Sequence, residues 1–65
     1  MNITLNGESK ATQAATVAAL VAELALNTRQ VAIERNREIV PRSTYETAAL
    51  VEGDVLEIVA FIGGG

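Results

Sequence analysis

The chain contains no cysteine, no histidine and no tryptophan, and its aromatic residues are one tyrosine, Tyr45, and one phenylalanine, Phe61. Without Cys or His it lacks the usual activated nucleophile, the general base that titrates near neutral pH and the common zinc ligands. Enzyme chemistry on its own side chains is therefore not expected, nor is a metal or cofactor bound by the chain. The lack of cysteine also removes any disulfide staple, which leaves 65 residues to stabilise one small domain by compact packing alone. That composition suits the cytosol. No basic stretch followed by a long apolar one opens the sequence, and nowhere do eighteen apolar residues run together, so a soluble, unexported, cytoplasmic protein with no membrane partner is expected.

Positive charge is scarce and unevenly placed. The formal net charge is −3; residues 1–28 sum to −1, residues 29–43 to +2 and residues 44–65 to −4. A nucleic-acid partner needs a basic face that displaces counterions from phosphates, and this distribution supplies none. Arg29, Arg35, Arg37 and Arg42 are interleaved with Glu34 and Glu38 and read as a solvated edge.

What is present is a clear alternation of elements. Met1, Ile3 and Leu5 alternate with Asn2 and Thr4, the period-two pattern of a strand with one buried face. Asn6-Gly7 predicts a type I′ hairpin turn, with residues 8–14 returning antiparallel as a polar second strand. Thr16 is placed to cap a helix whose Val17, Leu20, Val21 and Leu24 form one stripe, with Ala18, Ala19, Ala22 and Ala25 on the rest of its surface. The helix is predicted to stop near Leu26, with Asn27 as a left-handed C-cap. Residues 31–35 read as a strand, Asn36-Arg37 as a turn, Ile39 and Val40 as a short strand, and Pro41 as the end of that pairing. Residues 43–49 are expected to be a loop with one helical turn, and Glu52-Gly53-Asp54 a turn. Residues 55–60 form the strongest strand, with Leu56, Ile58 and Ala60 on one side and Val55, Glu57, Val59 and Phe61 on the other, the side expected to face water. This order predicts an α+β roll, a mixed sheet of four to five strands crossed by one helix, with the first and last strands side by side and parallel.

Gly63, Gly64 and Gly65 follow the apolar stretch of residues 55–62. At ordinary glycine usage, three glycines at three given positions arise by chance about three times in ten thousand, so accident explains them poorly. A glycine tail lets other groups approach its backbone closely and can thread a narrow channel to present a carboxylate, although chain ends of small residues are also commonly frayed. The division expected is one domain over residues 1–62 and a mobile tail over residues 63–65. Val59, Phe61 and Ile62, apolar and next to that tail, form the expected docking surface for a partner.

The stretch AIERNREIVPR from Ala32, the turn EGD and the ending VLEIVAFIGGG resemble the sulfur carrier proteins of thiamine biosynthesis, the ThiS family of ubiquitin-like β-grasp proteins. The likeness is close over the second half, while the first half matches in pattern only. The glycine ending is also shared with the small subunit of molybdopterin synthase and with ubiquitin-like modifiers. The resemblance implies that an E1-like adenylyltransferase, using ATP and Mg²⁺, activates the carboxylate of Gly65, and that a sulfur-donor system converts it to a thiocarboxylate. Thiazole synthase would then take the sulfur. The chain's one sulfur atom of its own is the thioether of Met1, so the tail, with Gly64 and Gly65 as the family's terminal pair and Gly63 as a spacer, would be the sulfur-bearing part. Three other readings remain: the sulfur-carrying subunit of molybdopterin synthase, a modifier conjugated through Gly65, and a non-covalent interaction domain.

Overall fold

The computed structural model describes residues 1–61. Strand β1 (Asn2–Leu5) is followed by β2 (Glu8–Ala11), helix α1 (Val17–Glu23), a 3-10 turn (Thr28–Gln30), β3 (Val31–Arg35), β4 (Glu38–Ile39), a second 3-10 turn (Arg42–Thr44) and β5 (Val55–Ala60). The strands make one five-stranded sheet in the order β2-β1-β5-β3-β4. As the sequence predicts, β1 and β5 are parallel neighbours at the centre, with Thr4 beside Val55 and Leu5 beside Leu56. The β1–β2 hairpin and the β3–β5 and β3–β4 pairs are antiparallel.

Asn6 and Gly7 have φ of 49° and 84°, the positive values that a type I′ turn requires, and Leu5 pairs with Glu8 across it. Thr16 caps α1 as expected, its Oγ1 accepting the Ala19 N–H at 3.1 Å. Val17, Leu20 and Val21 of α1 are fully buried and join Ile3, Val31, Ile33, Leu56 and Ile58 from the sheet in one core. Ala14, Val40, Tyr45 and Leu50 close its rim, and Leu5 and Leu24 pack partly against it. Thus one face of the sheet is covered by a single slim helix, and the other is left to solvent.

Four expectations need correction. The second strand ends at Ala11 and does not reach Ala14, because Thr12 turns inward: its Oγ1 accepts the Ala14 N–H at 3.0 Å and donates to the Glu23 carboxylate. A hydroxyl bonded to the backbone two residues ahead competes with ladder pairing. The helix stops at Glu23, earlier than predicted, and the left-handed residue is Ala25 at φ 58°, not Asn27. Leu26 N–H donates to Val21 O and Ala25 N–H to Ala22 O, both at 3.0 Å, the pair of bonds of a Schellman ending. Asn27 instead opens the next 3-10 turn, its Oδ1 accepting the Arg29 N–H at 2.8 Å. The short fourth strand is Glu38–Ile39; Val40 lies beyond it, buried, with its N–H on Ile33 O at 2.9 Å. Finally, Ala60 is exposed although its alternation points it inward, because β1 turns back at Asn6-Gly7 and leaves the end of β5 without a paired strand on that flank among the described residues.

Candidate functional site

The site is built on β5, the strand that leads toward the glycines. Every β5 residue from Leu56 to Ala60 is matched to a β3 residue, ending in Val31 opposite Ala60. One residue further, the Phe61 N–H donates to Gln30 O at 2.7 Å. The chain's direction is therefore held through Phe61. Ile62, Gly63, Gly64 and Gly65, expected as docking residue, tail and modified end, lie outside the described residues.

On the other side from the helix, Val55, Val59 and Phe61 are 47%, 59% and 52% exposed, and none belongs to the core. Phe61, which the alternation sets on the side expected to face water, is exposed and stands outside the core. The β3–β5 register sets exposed Ala32 beside Val59 and exposed Glu34 beside Glu57. This face is apolar beside the strand's exit and acidic in its middle. Like charges directly opposite on one sheet face are unfavourable, so the two carboxylates do not account for the stability of the fold.

Two side chains that the sequence pattern did not single out hold β5 in place. Asn6 donates its backbone N–H to Leu56 O at 2.9 Å, and its side chain then continues the ladder as a peptide group would: Oδ1 accepts the Ile58 N–H at 2.9 Å and Nδ2 donates to Ile58 O at 3.2 Å. From β3's side, Asn36 Oδ1 accepts the Val55 N–H at 3.0 Å, and Nδ2 donates to Asp54 Oδ1 at 3.1 Å. Asp54 is buried, and its other oxygen accepts the Val51 N–H at 3.0 Å. The signal in the sequence was one asparagine in each of two tight turns, but the turn chemistry accounts for those residues without showing where their carboxamides go.

The basic segment also divides on inspection. Arg35 Nη1 donates to Ala49 O at 2.6 Å and Arg42 Nη2 to Val31 O at 3.3 Å, so two of its guanidinium groups tie loops to the sheet. Among the described residues, no three Asp or Glu side chains gather into a metal-holding group, and no helix is long and apolar enough to cross a membrane.

A mixed sheet of this order, grasping one helix across a single face, with a parallel pair of first and last strands at its centre, defines a ubiquitin-like β-grasp protein. Residues 2–65 match the ThiS family, and the chain belongs to it. It is 54% identical over 66 residues to a thiazole synthase of Paramagnetospirillum magneticum and 44% identical over 66 residues to one of Magnetococcus marinus; each match covers 100% of this chain and 20% of that protein. The chain thus spans about a fifth of the length of these thiazole synthases. It is 42% identical over 50 residues to the sulfur carrier protein ThiS of Bacillus subtilis, covering 77% of this chain and 76% of that one. The crystal structure of the thiamine biosynthesis protein ThiS from Geobacter metallireducens superposes with a TM-score of 0.82 at 30% identity, over 100% of both chains.

Proposed function

We propose that this chain is a sulfur carrier of thiamine biosynthesis that bears its cargo on the carboxyl group of Gly65. The observation that supports this most is the ThiS match, which runs through the glycine end to residue 65. A carboxylate is a poor electrophile, and the chemistry follows from that. An oxygen of Gly65 attacks the α-phosphorus of ATP in an E1-like adenylyltransferase, with Mg²⁺ as that enzyme's ion, and pyrophosphate leaves. A sulfide-level nucleophile supplied by a donor system then forms a C–S bond to the activated carbonyl carbon as the C–O bond to AMP breaks, and loss of the proton on sulfur leaves a thiocarboxylate. Thiazole synthase takes the sulfur for ring formation. The chain acts as a protein co-substrate, lending an address and a reach, while the catalytic groups belong to its partners. Where this unit sits within a longer chain, the peptide bond after Gly65 must be hydrolysed before adenylation can begin.

The outward face of β5 supplies the address. Val59 and Phe61, with Ile62 beyond them, dock the adenylyltransferase at the point where the strand's direction is still held by the Phe61–Gln30 bond. Docking there leaves only a few residues between the held strand and the carboxyl group that the partner must take in.

Intact mass after incubation with ATP, the adenylyltransferase and a sulfur donor tests the reading. Sulfur replacing one oxygen of Gly65 is the expected result. A covalent adduct to a second protein would make the chain a modifier, and an unchanged mass would leave a non-covalent interaction domain. For the docking face, Phe61→Ala is expected to weaken binding to the adenylyltransferase with an unchanged unfolding midpoint; lost stability with normal binding of the folded fraction would overturn it.

A further inference from the structure

Asn6-Gly7 is a chemically vulnerable pair held in a protected arrangement. An asparagine followed by glycine loses its side-chain amide when the glycine nitrogen attacks Cγ, because no side chain on the following residue obstructs the approach. Gly7 is exposed, a Cβ built on it would meet no atom within 4 Å, and among the described residues its N–H has no hydrogen-bond acceptor. The nucleophile is thus open to solvent base. The electrophile is not free. Attack requires the Asn6 carboxamide to swing over the Gly7 nitrogen, whereas both of its ends are engaged by the backbone of Ile58, at 2.9 Å and 3.2 Å.

We propose that Asn6-Gly7 is a deamidation site gated by the fold, its carboxamide withheld from the Gly7 nitrogen while β1 and β5 are joined and released when they part. In the released state the deprotonated Gly7 nitrogen forms a bond to Cγ, the Cγ–Nδ2 bond breaks, and ammonia leaves with the succinimide as product. Water then opens either carbonyl of that ring, giving aspartate or isoaspartate. No oxidant or cofactor is involved. Either product opposes refolding. Aspartate sets an oxygen where Nδ2 had donated to Ile58 O, so two acceptors face one another. Isoaspartate lengthens the main chain by one carbon inside a turn whose positive φ values match a two-residue connection. An opening of the sheet that lasts long enough therefore becomes irreversible, by chemical modification of the unfolded chain.

The test is to hold the chain at mildly alkaline pH in native buffer and in urea, following the gain in mass of one amide-to-acid exchange. Cleavage after Lys10 followed by fragment sequencing then locates the change. Loss of two hydrogen bonds on release corresponds to a rate about tenfold or more lower in native buffer than in urea. The product is expected at Asn6, not at Asn2, Asn27 or Asn36, whose following residues carry side chains. Gly7→Ala in urea is expected to react many-fold more slowly. A Leu20→Ala chain, which opens more often, should react faster than the parent in native buffer and at the same rate in urea. Equal native rates for those two chains, equal rates in native buffer and urea for the parent, or a different reacting asparagine would each overturn the proposal.

Discussion

Asn6 and Asn36 stand in the left-handed region at φ 49° and 52°, where asparagine is tolerated better than most residues, and from opposite sides each turns its carboxamide toward β5. Removing either side chain leaves a β5 backbone group without its partner. Asn36→Ala strips the acceptor from Val55 N–H and a donor from the buried Asp54 carboxylate, and it adds the cost of alanine at positive φ. A loss of roughly 2–3 kcal/mol is expected in urea unfolding, with the slope of the transition unchanged. Ala25 presents the opposite case. It occupies the left-handed position of the Schellman ending, where a residue with a Cβ is held at a cost of roughly 1–2 kcal/mol. Glycine removes that cost and adds about 0.5–1 kcal/mol of chain entropy to be lost on folding. Ala25→Gly is accordingly expected to raise stability by roughly 1 kcal/mol, read as a higher urea midpoint.

At the scale of elements, α1 is seven residues long, which makes it about 10 Å, yet it puts three fully buried side chains into the core. Its own hydrogen bonds do not make so short a helix stable, so Val17, Leu20 and Val21 must do so by burial. Leu20 is completely inaccessible, and Leu20→Ala is expected to destabilise by about 2–5 kcal/mol; an unchanged urea midpoint would remove it from the core. The β3–β5 pair makes a contrasting prediction on the open face. Glu34 directly opposite Glu57 is a repulsive pair, and Glu57→Lys makes it an attractive one. A rise of up to about 1 kcal/mol at low salt is expected, shrinking as ionic strength screens the two charges.

For the whole molecule, the proposed function divides the labour between a sheet that fixes a direction and an end that would be handed to partners. β5 is held between β1 and β3, tied by two carboxamides, and still engaged at Phe61, so hydrogen bonding runs to the last of the described residues. Deleting Gly65 is expected to abolish ATP–pyrophosphate exchange by the adenylyltransferase and to leave the thermal midpoint unchanged. Retained exchange would take the carboxyl group of Gly65 out of the mechanism.

The features legible in the sequence are those governed by near neighbours. Alternation over residues 1–5 and 55–60 sets which side of each strand is apolar, Asn6-Gly7 requires the positive φ of its turn, and Thr16 stands where an oxygen can cap the next N–H groups. From these came the hairpin, the helix start, the central strand and the outward placement of Val59 and Phe61. Decisions of another kind depended on groups far apart in the chain. Asn6 meets Ile58 across 52 positions and Thr12 meets Glu23 across 11, and no local pattern registers either contact. Ala60 alternates inward like Leu56 and Ile58, and only the early turning of β1 leaves it uncovered. Likewise Asn27 has the intrinsic preference for the left-handed position, but the ending of α1 assigned that position to Ala25. Periodicity and turn chemistry describe what a segment favours in isolation; burial and side-chain pairing are properties of what folds against it, and those were settled only when the sheet closed around β5.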